Sequence, residues 1–387
     1  MFLIRQSKPE DASTLVKMAK MVYFINLPPS EQLILEKVDH SARCFRKLTG
    51  DTQQPKSRSR KAAGEIRGYS GMEHDSDFFM FSLEDATHGG VIGTSQVRAH
   101  QGGPGNPNWS FRLSEKKHYS PSLRFGTTHT VGQLYADETG PTEIGGLIIQ
   151  PSYRGHAERP GRFLAFVRFH FIGLYRNVFA DRIIAEMMGP VSAEGDNPFW
   201  DAFGRKFVPV KFAEADRFCQ HNRAFISELL PKEEIYLSLM PLEVQNAVGV
   251  VGRETLPARR LLESLGFAYR GFVDPFDGGP HLDVRTDDVS LVRHTRRIAL
   301  GKPVAAARCQ GQCIISTLSQ EHGLRATQAP CEVGRDELRV PGEYAVLIGA
   351  SKGKVVGFTP LVSHMSDPTD THTNHHKKPG RTRVRTG

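Results

Sequence analysis

The sequence predicts an α+β fold in which a mixed, largely antiparallel sheet is flanked by helices. Segments of helical period alternate with short apolar runs of strand length, and a glycine turn joins two of these runs into a hairpin. Beyond about residue 300 the apolar runs become short and are separated by Gly and Pro. This change predicts a small β-rich C-terminal subdomain over residues 298–362, after a larger domain over residues 1–297.

The predicted helices have recognisable starts and ends. Asp11 is a suitable N-cap for the first helix. Pro257 stands in the first turn of a short late helix, and Gly266 ends it. The predicted helices cover residues 12–24, 30–49, 161–179 and 256–265.

The predicted strands are apolar runs bounded by turn residues. The clearest pair surrounds the turn at residues 88–90, which reads His-Gly-Gly and indicates a hairpin. The predicted strands cover residues 2–5, 78–83, 91–97, 142–149 and 182–187, and a last strand follows Phe267.

The net charge of +8 is concentrated in two polar segments. Residues 51–68 and 363–387 each carry five Lys or Arg and two acids, so together they supply six of the eight charges. Neither has an apolar period, which predicts a flexible basic loop over residues 51–70 and a disordered basic tail over 363–387. A nucleic-acid-binding arm would need aromatic residues among the charges, and these are missing, so we expect no nucleic-acid partner.

The cysteine content and the apolar runs indicate which cellular compartment the protein occupies and whether it has a metal site. Five sparse cysteines favour a reducing cytoplasm, and no run approaches the roughly 20 apolar residues that span a bilayer. Cys309, Cys313 and Cys331, with His322 nearby, could be imagined as zinc ligands. Because they lack paired short spacings, buried thiols are the preferred interpretation, and we expect no metal site.

The segment at residues 145–162 has the features of a phosphate-binding turn. A strand ends, a loop with Arg154 and Arg159 follows, and a helix begins near Gly161 and Arg162. Amides at the start of a helix, with the helix dipole behind them, favour an anion such as a pyrophosphate. A purely structural turn would show the same pattern, so the turn alone does not decide the function.

Other segments resemble a known family. Residues 255–267, Thr-Leu-Pro-Ala-Arg-Arg-Leu-Leu-Glu-Ser-Leu-Gly-Phe, resemble the helix-to-strand motif that borders the acyl-CoA cleft in the GNAT superfamily of N-acyltransferases. More narrowly, four segments are similar to arginine N-succinyltransferase, a branch of that superfamily. These segments are residues 185–187, 197–207, 224–231 and 276–280.

The resemblance implies a GNAT-like fold for residues 1–297, with a family-specific insertion at 189–254. It implies a cytoplasmic enzyme that transfers succinyl from succinyl-CoA to the α-amine of L-arginine, the first step in degrading arginine to glutamate. The expected partners are therefore the small molecules arginine and succinyl-CoA, with no metal, nucleic acid or membrane. A homodimer or pairing with a paralogous subunit is compatible with the family.

The resemblance also implies roles for individual residues. Leu147 matches the family position that contacts succinyl-CoA, and we expect Ile148 and Ile149 to act with it through the backbone. Arg154, Gly161 and Arg162 are the candidates for the pyrophosphate. The family's proton-donating histidine falls on Gly252, which has no proton to give. The candidate substitutes are His281, His221, Tyr236 and Glu143.

Charge matching suggests the substrate contacts. Glu186 and Asp277 could bind the guanidinium. Arg154, Arg205 and Arg259 could bind the carboxylates, although any of these could form ordinary surface pairs. Two alternatives stay open: a related acyltransferase that uses ornithine or another acyl-CoA, and a binding or regulatory relative that lost its acid at position 252.

Overall fold

The computed structural model describes residues 1–21, 27–50, 76–192, 194–219 and 224–361. The predicted basic loop, the predicted basic tail and His221 lie outside these ranges. No helix in the described ranges has both the length and the apolar character that crossing a membrane requires.

Fifteen strands lie in the described residues. They are β1 (Phe2–Gln6), β2 (Phe78–Asp85), β3 (Val91–Arg98), β4 (Asn108–Ser120), β5 (Phe125–Asp137), β6 (Thr142–Ile149), β7 (Arg182–Glu186), β8 (Ile235–Tyr236), β9 (Ala268–Val273), β10 (Pro280–Arg285), β11 (Arg296–Leu300), β12 (Gly311–Ser319), β13 (Gly323–Val333), β14 (Glu337–Arg339) and β15 (Val355–Leu361).

The helices in the same residues are mostly short. They are α1 (Ala12–Ala19), α2 (Glu31–Leu48), α3 (Pro160–Leu174), α4 (Arg205–Phe207), α5 (Phe212–Cys219), α6 (Ala224–Leu229), α7 (Leu242–Ala247), α8 (Leu256–Ser264), α9 (Ser290–Arg293) and α10 (Gly342–Leu347).

The strands form one mixed sheet in the order β12-β15-β11-β14-β13-β1-β2-β3-β6-β7-β10-β9-β4-β5-β8. Among these strands, β6–β7 and β11–β14 are the parallel neighbours, and the other pairs are antiparallel. The prediction of a mixed fold of helices and sheet is therefore confirmed. The crossover from β6 to β7 is made by α3, as parallel neighbours require.

Apolar side chains on alternate residues of β2 point to two different cores, so both sides of the sheet are covered. Phe79 and Phe81 pack in a cluster with α3, whereas Phe78 and Met80 pack with α1 and α2. The helix α3 is buried over most of its length, which explains why its sequence is apolar all round.

The long hairpin of β4 and β5 was not predicted. Each strand has thirteen residues, and much of both is exposed, so the sequence there alternates weakly between apolar and polar residues. Its inner part is covered by the segment predicted as an insertion. Trp200, Phe203 and Phe225 of that segment form a separate core with Phe111 of β4.

The C-terminal strands have their own core and also continue the main sheet. Cys313, Cys331 and Phe358 lie in that core, where burial raises the pKa of the Cys313 thiol. The strand β13 pairs with β1, and β11 spans the predicted boundary between residues 297 and 298. His170 of α3 contacts this region through two hydrogen bonds, and burial lowers its pKa to about 3, so the ring is neutral.

Candidate functional site

The strands β6 and β7 pair only at their beginnings. Thr142 pairs with Ile183 and Glu143 with Ile184, and β7 then continues beside β10. From Ile144 onward, β6 has no ladder partner on this side among the described residues. Backbone groups on an unpaired strand edge are available to a ligand, so the gap between the two strands is a candidate binding cleft.

A bulge centred on Gly146 shapes the wall of this cleft. The pairing of β3 with β6 shifts register here, and Gly146 has a left-handed φ of +57°. A Cβ at residue 146 would lie 2.7 Å from Cδ and 2.8 Å from Nε2 of Gln96. Only glycine therefore fits, both for its backbone and for its neighbour. Gln96 is 3% exposed, and its Nε2 has no hydrogen-bond partner in the described part of the chain.

The predicted phosphate-binding turn connects this strand to α3. Arg159 has a left-handed φ of +49° just before the helix, and Pro160 occupies the first helical position. The exposed side chain of Arg154 pairs with Glu254, 2.6 Å away, just before α8. The guanidinium of Arg162 lies 4.9 Å from the ring centroid of Phe166. Arginines therefore lie both in the turn and in the first turn of α3.

A buried polar cluster lies where β7 ends. Glu186 of β7 is the register partner of His281 of β10. One ligand atom each from Glu186, Asp274 and His281 lie within 4.8 Å of one another. Asn108 donates a hydrogen bond to Oε1 of Glu186 at 2.8 Å. A histidine between two carboxylates can hold and pass a proton, and the same three residues have the spacing to hold a metal.

The charges of this cluster act on His281. The ring is 8% exposed, and its Nε2 lies 4.0 Å from Oδ2 of Asp274, which is beyond hydrogen-bond length. Burial by itself lowers the pKa of His281, but the carboxylates of Glu186 and Asp274 outweigh burial and raise it above its ordinary value. The neighbouring carboxylates therefore stabilise the imidazolium form of the ring.

Two aspartates build the turn that carries His281. Oδ1 of Asp274 accepts from the amide of Phe276 at 2.7 Å and from that of Asp277 at 3.1 Å. The carboxylate of Asp277 accepts from the amides of Gly279 at 2.7 Å and Gly189 at 3.0 Å. Burial, with the nearby charge of Asp274, raises the pKa of Asp277 to about 8. Asp277 thus joins the β9–β10 turn to the segment after β7.

A small, partly open cavity adjoins the cluster. His281 forms part of its wall, so the cavity and the cluster are continuous. The full lining comprises Asn108, Ser110, Tyr135, Asp137, Arg182, Ile184, Arg270, Phe272, His281 and Asp283.

Some predicted residues meet at this site. Glu186 and His281 lie opposite each other on β7 and β10, with ligand atoms within 4.8 Å, and Asp277 bonds to the segment after β7. Glu143 pairs in register with Ile184, which lines the cavity, so Glu143 is on the same side of the sheet. Oε2 of Glu143 lies 3.7 Å from Nε of Arg98.

Other predicted residues lie elsewhere. Tyr236 is on the short edge strand β8, where its hydroxyl lies 3.2 Å from Nε2 of His118. Arg205 is exposed and 3.5 Å from Asp201. Arg259 bonds to Glu263, one turn further along α8, at 2.8 Å. None of these three lines the cavity.

Gly252 lies beside the segment that follows β7. Its amide donates to the carbonyl of Met188, just beyond β7, at 3.1 Å. Its φ of −57° and ψ of 152° suit any residue. A Cβ there would come 3.3 Å from the carbonyl oxygen of Gly189, a tight contact that a small shift would relieve.

Sequence reasoning missed several residues of the site. Gln96 and Asn108 carry no motif, because each is one polar residue at or inside a strand. Asp274 precedes Pro275, and Asp-Pro followed by Gly-Gly is a turn signal that could have pointed to it. Asp283 lies two residues beyond His281, so only the two-residue period of a strand would have predicted that both side chains lie on one face of the sheet.

Comparisons with known proteins agree with the resemblance. A family model described as arginine N-succinyltransferase beta subunit matches residues 2–291. An arginine N-succinyltransferase of Yersinia pestis is 34% identical over 289 residues, covering 73% of this chain and 82% of the relative. One from Escherichia coli O139:H28 is 30% identical over 325 residues, covering 83% and 87%.

A solved structure shares the fold. It is described as arginine/ornithine succinyltransferase subunit AI from Pseudomonas aeruginosa, and it aligns with a TM-score of 0.75. The alignment covers 94% of this chain and 99% of that chain at 22% sequence identity, which shows similarity of fold.

Proposed function

The chain belongs to the arginine N-succinyltransferase family of acyltransferases, and on that premise we propose that it transfers succinyl from succinyl-CoA to the α-amine of L-arginine. One observation carries the proposal beyond the family name. The divergence of β6 from β7, with its bulge at Gly146, lies beside the buried cluster of His281, Glu186 and Asp274.

The fold around the cleft supports a GNAT-like arrangement. The strands around the cleft follow the order β6-β7-β10-β9, with α3 joining β6 to β7 and α8 preceding β9, and this order supports the proposal. The thioester would enter the gap between β6 and β7, along the backbone of Leu147, Ile148 and Ile149.

The CoA pyrophosphate would sit at the start of α3. The amide of Gly161 and the guanidinium groups of Arg154 and Arg162 are the proposed contacts. The amide of Arg162 donates to the carbonyl of Arg159 at 2.9 Å, so we assign Arg162 a role through its side chain. Arg154 would have to exchange its exposed partner Glu254 for phosphate, and such surface pairs are weak.

The chemistry requires the α-ammonium group to lose a proton before its nitrogen attacks the thioester carbon. We assign this proton to His281, with Glu186 and Asp274 stabilising the imidazolium that forms. Glu143 is on the same side of the sheet and could take the proton through water. As the carbon–nitrogen bond forms, negative charge develops on the thioester oxygen. The attacking nitrogen then loses its second proton to water, and collapse of the oxyanion breaks the carbon–sulfur bond.

The developing oxyanion needs hydrogen-bond donors. The backbone amide of Leu147, just past the bulge, and Nε2 of Gln96 are the proposed donors. A buried amide without a partner pays no further desolvation when a ligand oxygen arrives. The CoA thiolate would then take a proton from the imidazolium of His281 or from water, because Gly252 cannot supply one.

Of the predicted substrate contacts, Glu186 is the one that belongs to the polar cluster with His281, where we place the α-nitrogen of arginine. Asp277 is engaged by two backbone amides, and Arg205 and Arg259 have partners on their own helical segments, so the proposal does not depend on them. The phrases "beta subunit" and "subunit AI" in the matched descriptions support a further proposal, that the chain works paired with a second copy or a paralogous chain.

The direct test is release of CoA thiol by the full chain, followed with a thiol-reactive dye. We expect release with succinyl-CoA and L-arginine, and formation of N2-succinylarginine by mass spectrometry. L-Ornithine and acetyl-CoA are the comparison substrates, and a preference for either would support the related acyltransferase instead. Binding of CoA without turnover of any amine would support the non-catalytic alternative.

A further inference from the structure

The cavity beside His281 contains a network of alternating charges. Nε of Arg270 donates to Oδ1 of Asp283 at 2.6 Å. Arg182 lies between two aspartates: it forms an ion pair with Asp137 and lies 3.6 Å from Oδ2 of Asp283. Two arginines thus balance two aspartates, and a free carboxylate entering the cavity would meet cations that are already neutralised.

The two aspartates differ in how much of their bonding capacity is used. Oδ1 of Asp137 accepts from both the amide and the hydroxyl of Thr139, and its Oδ2 faces Arg182. Within the described part of the chain, Asp283 accepts one hydrogen bond, from Arg270, and has a longer contact with Arg182. Because the side chain of Arg270 is 61% exposed while that of Asp283 is 15% exposed, the Arg270 guanidinium is the partner that can leave.

The position of Asp283 matches the length of an arginine side chain. His281 and Asp283 are two residues apart on β10, so both face the cavity, separated by about 6.6 Å along the strand. An amino acid whose α-nitrogen lies at His281 would reach Asp283 with the end of an extended arginine side chain. Ornithine is shorter and would not reach as far.

The walls of the cavity suit a planar cation. The rings of Tyr135 and Phe272 both line it, and their centroids are 5.2 Å apart. Guanidinium groups stack favourably on aromatic faces. The guanidinium of Arg270 at Asp283 shows that this carboxylate already binds a group of that chemistry.

We propose that Asp283 recognises the guanidinium of the acceptor amino acid, which replaces Arg270 as its partner. This inference rests on the proposed function, because it assigns the acceptor site of that reaction. Asp283 is then the residue that distinguishes a cationic side chain from a neutral one of the same shape.

The test measures initial rates of the full chain with L-arginine and with L-citrulline, its neutral isostere. Asp283→Asn should raise the KM for arginine about ten- to hundredfold, the effect of a charge-assisted hydrogen bond, and should reduce the preference for arginine over citrulline. The KM for succinyl-CoA should not change, which also shows that the variant is folded. Asp283→Glu should restore part of the preference.

Two further variants complete the experiment. Arg270→Gln should lower the KM for arginine because it removes the internal competitor, and an unchanged or higher KM would overturn the exchange. Asp181→Asn removes an exposed partner of Arg176 and should leave both KM values unchanged. If the parent enzyme acylates arginine and Asp283→Asn keeps its KM and preference, the Asp283 inference is wrong. If the parent acylates no arginine at all, the proposed function fails instead.

Discussion

Gly146→Ala is the sharpest test of the bulge in β6. The left-handed backbone at φ +57° costs a non-glycine residue about 1–2 kcal/mol. The added methyl would lie 2.7 Å from Gln96, whose side chain is buried and cannot swing into solvent. Overpacking of this kind costs about 1–3 kcal/mol. We therefore expect the free energy of unfolding to fall by about 2–5 kcal/mol.

The same substitution should reduce turnover more than stability explains. It displaces Gln96 and reorients the amide of Leu147, so we expect kcat to fall about a hundredfold, as for loss of an oxyanion donor. Urea unfolding monitored by tryptophan fluorescence gives the stability, and thiol release at a temperature where the variant is folded gives kcat.

Gly89→Ala is the matched control. Gly89 has a similar φ of +74°, but a Cβ there meets nothing within 4 Å, so this variant carries the backbone cost without the clash. It should lose about 1–2 kcal/mol and keep full activity.

A double variant separates the clash from the chemistry. Adding Gln96→Ala to Gly146→Ala relieves the contact, so the two changes should destabilise the protein by less than the sum of their separate effects. Its kcat should stay low, because the Gln96 amide is gone. Wild-type kcat and stability in Gly146→Ala would refute the role of the bulge.

Three further outcomes are expected. In His281→Gln, kcat should fall about a hundredfold. We expect kcat/KM of the parent to rise with pH as His281 loses its proton, and the variant should lack this rise. A retained rise would mean that another group titrates. Gly252→His should raise kcat about tenfold at neutral pH if thiolate protonation is limiting, and an equal rate would show that no side-chain acid is needed there. Asp11→Asn leaves the buried Arg5 with Glu84 as its one carboxylate partner among the described residues and should cost about 3 kcal/mol in urea unfolding. Burial raises the pKa of Asp11, but its bonds to Arg5 and Lys8 outweigh burial and lower it. Its contribution is therefore present above the unfolded pKa near 4 and lost as pH falls, and a variant equally stable at pH 7 would contradict this.

Much of the fold could be predicted because its signals are local. The helix starting at Pro160 and the strand before it were visible from periodicity and turn residues alone. Asp11 does stand at the N-cap position of α1, but its side chain makes no capping bond there and binds Arg5 and the amide of Lys8 instead. The sequence therefore predicted where Asp11 lies relative to α1, but it did not predict which residues its side chain binds.

The hairpin of β4 and β5 shows where local signals fail. Its outer residues face solvent, so no apolar alternation indicates strands, and hydrogen bonding between the two strands supplies what the pattern lacks. The same hairpin brings Asn108 to Glu186 and Tyr135 to the cavity, so the missed strands also concealed part of the site.

The sequence by itself determined the family, the arginine- and glycine-containing turn before α3 and the absence of a histidine at position 252, because each is a matter of residue type and spacing. Only the tertiary structure decided which polar residues share one site. His281 lies opposite Glu186 because of the register between β10 and β7, and Asp283 bonds to Arg270 because β10 also pairs with β9. The register between two strands depends on how whole strands pack their apolar sides, so it cannot be predicted from one segment of the sequence.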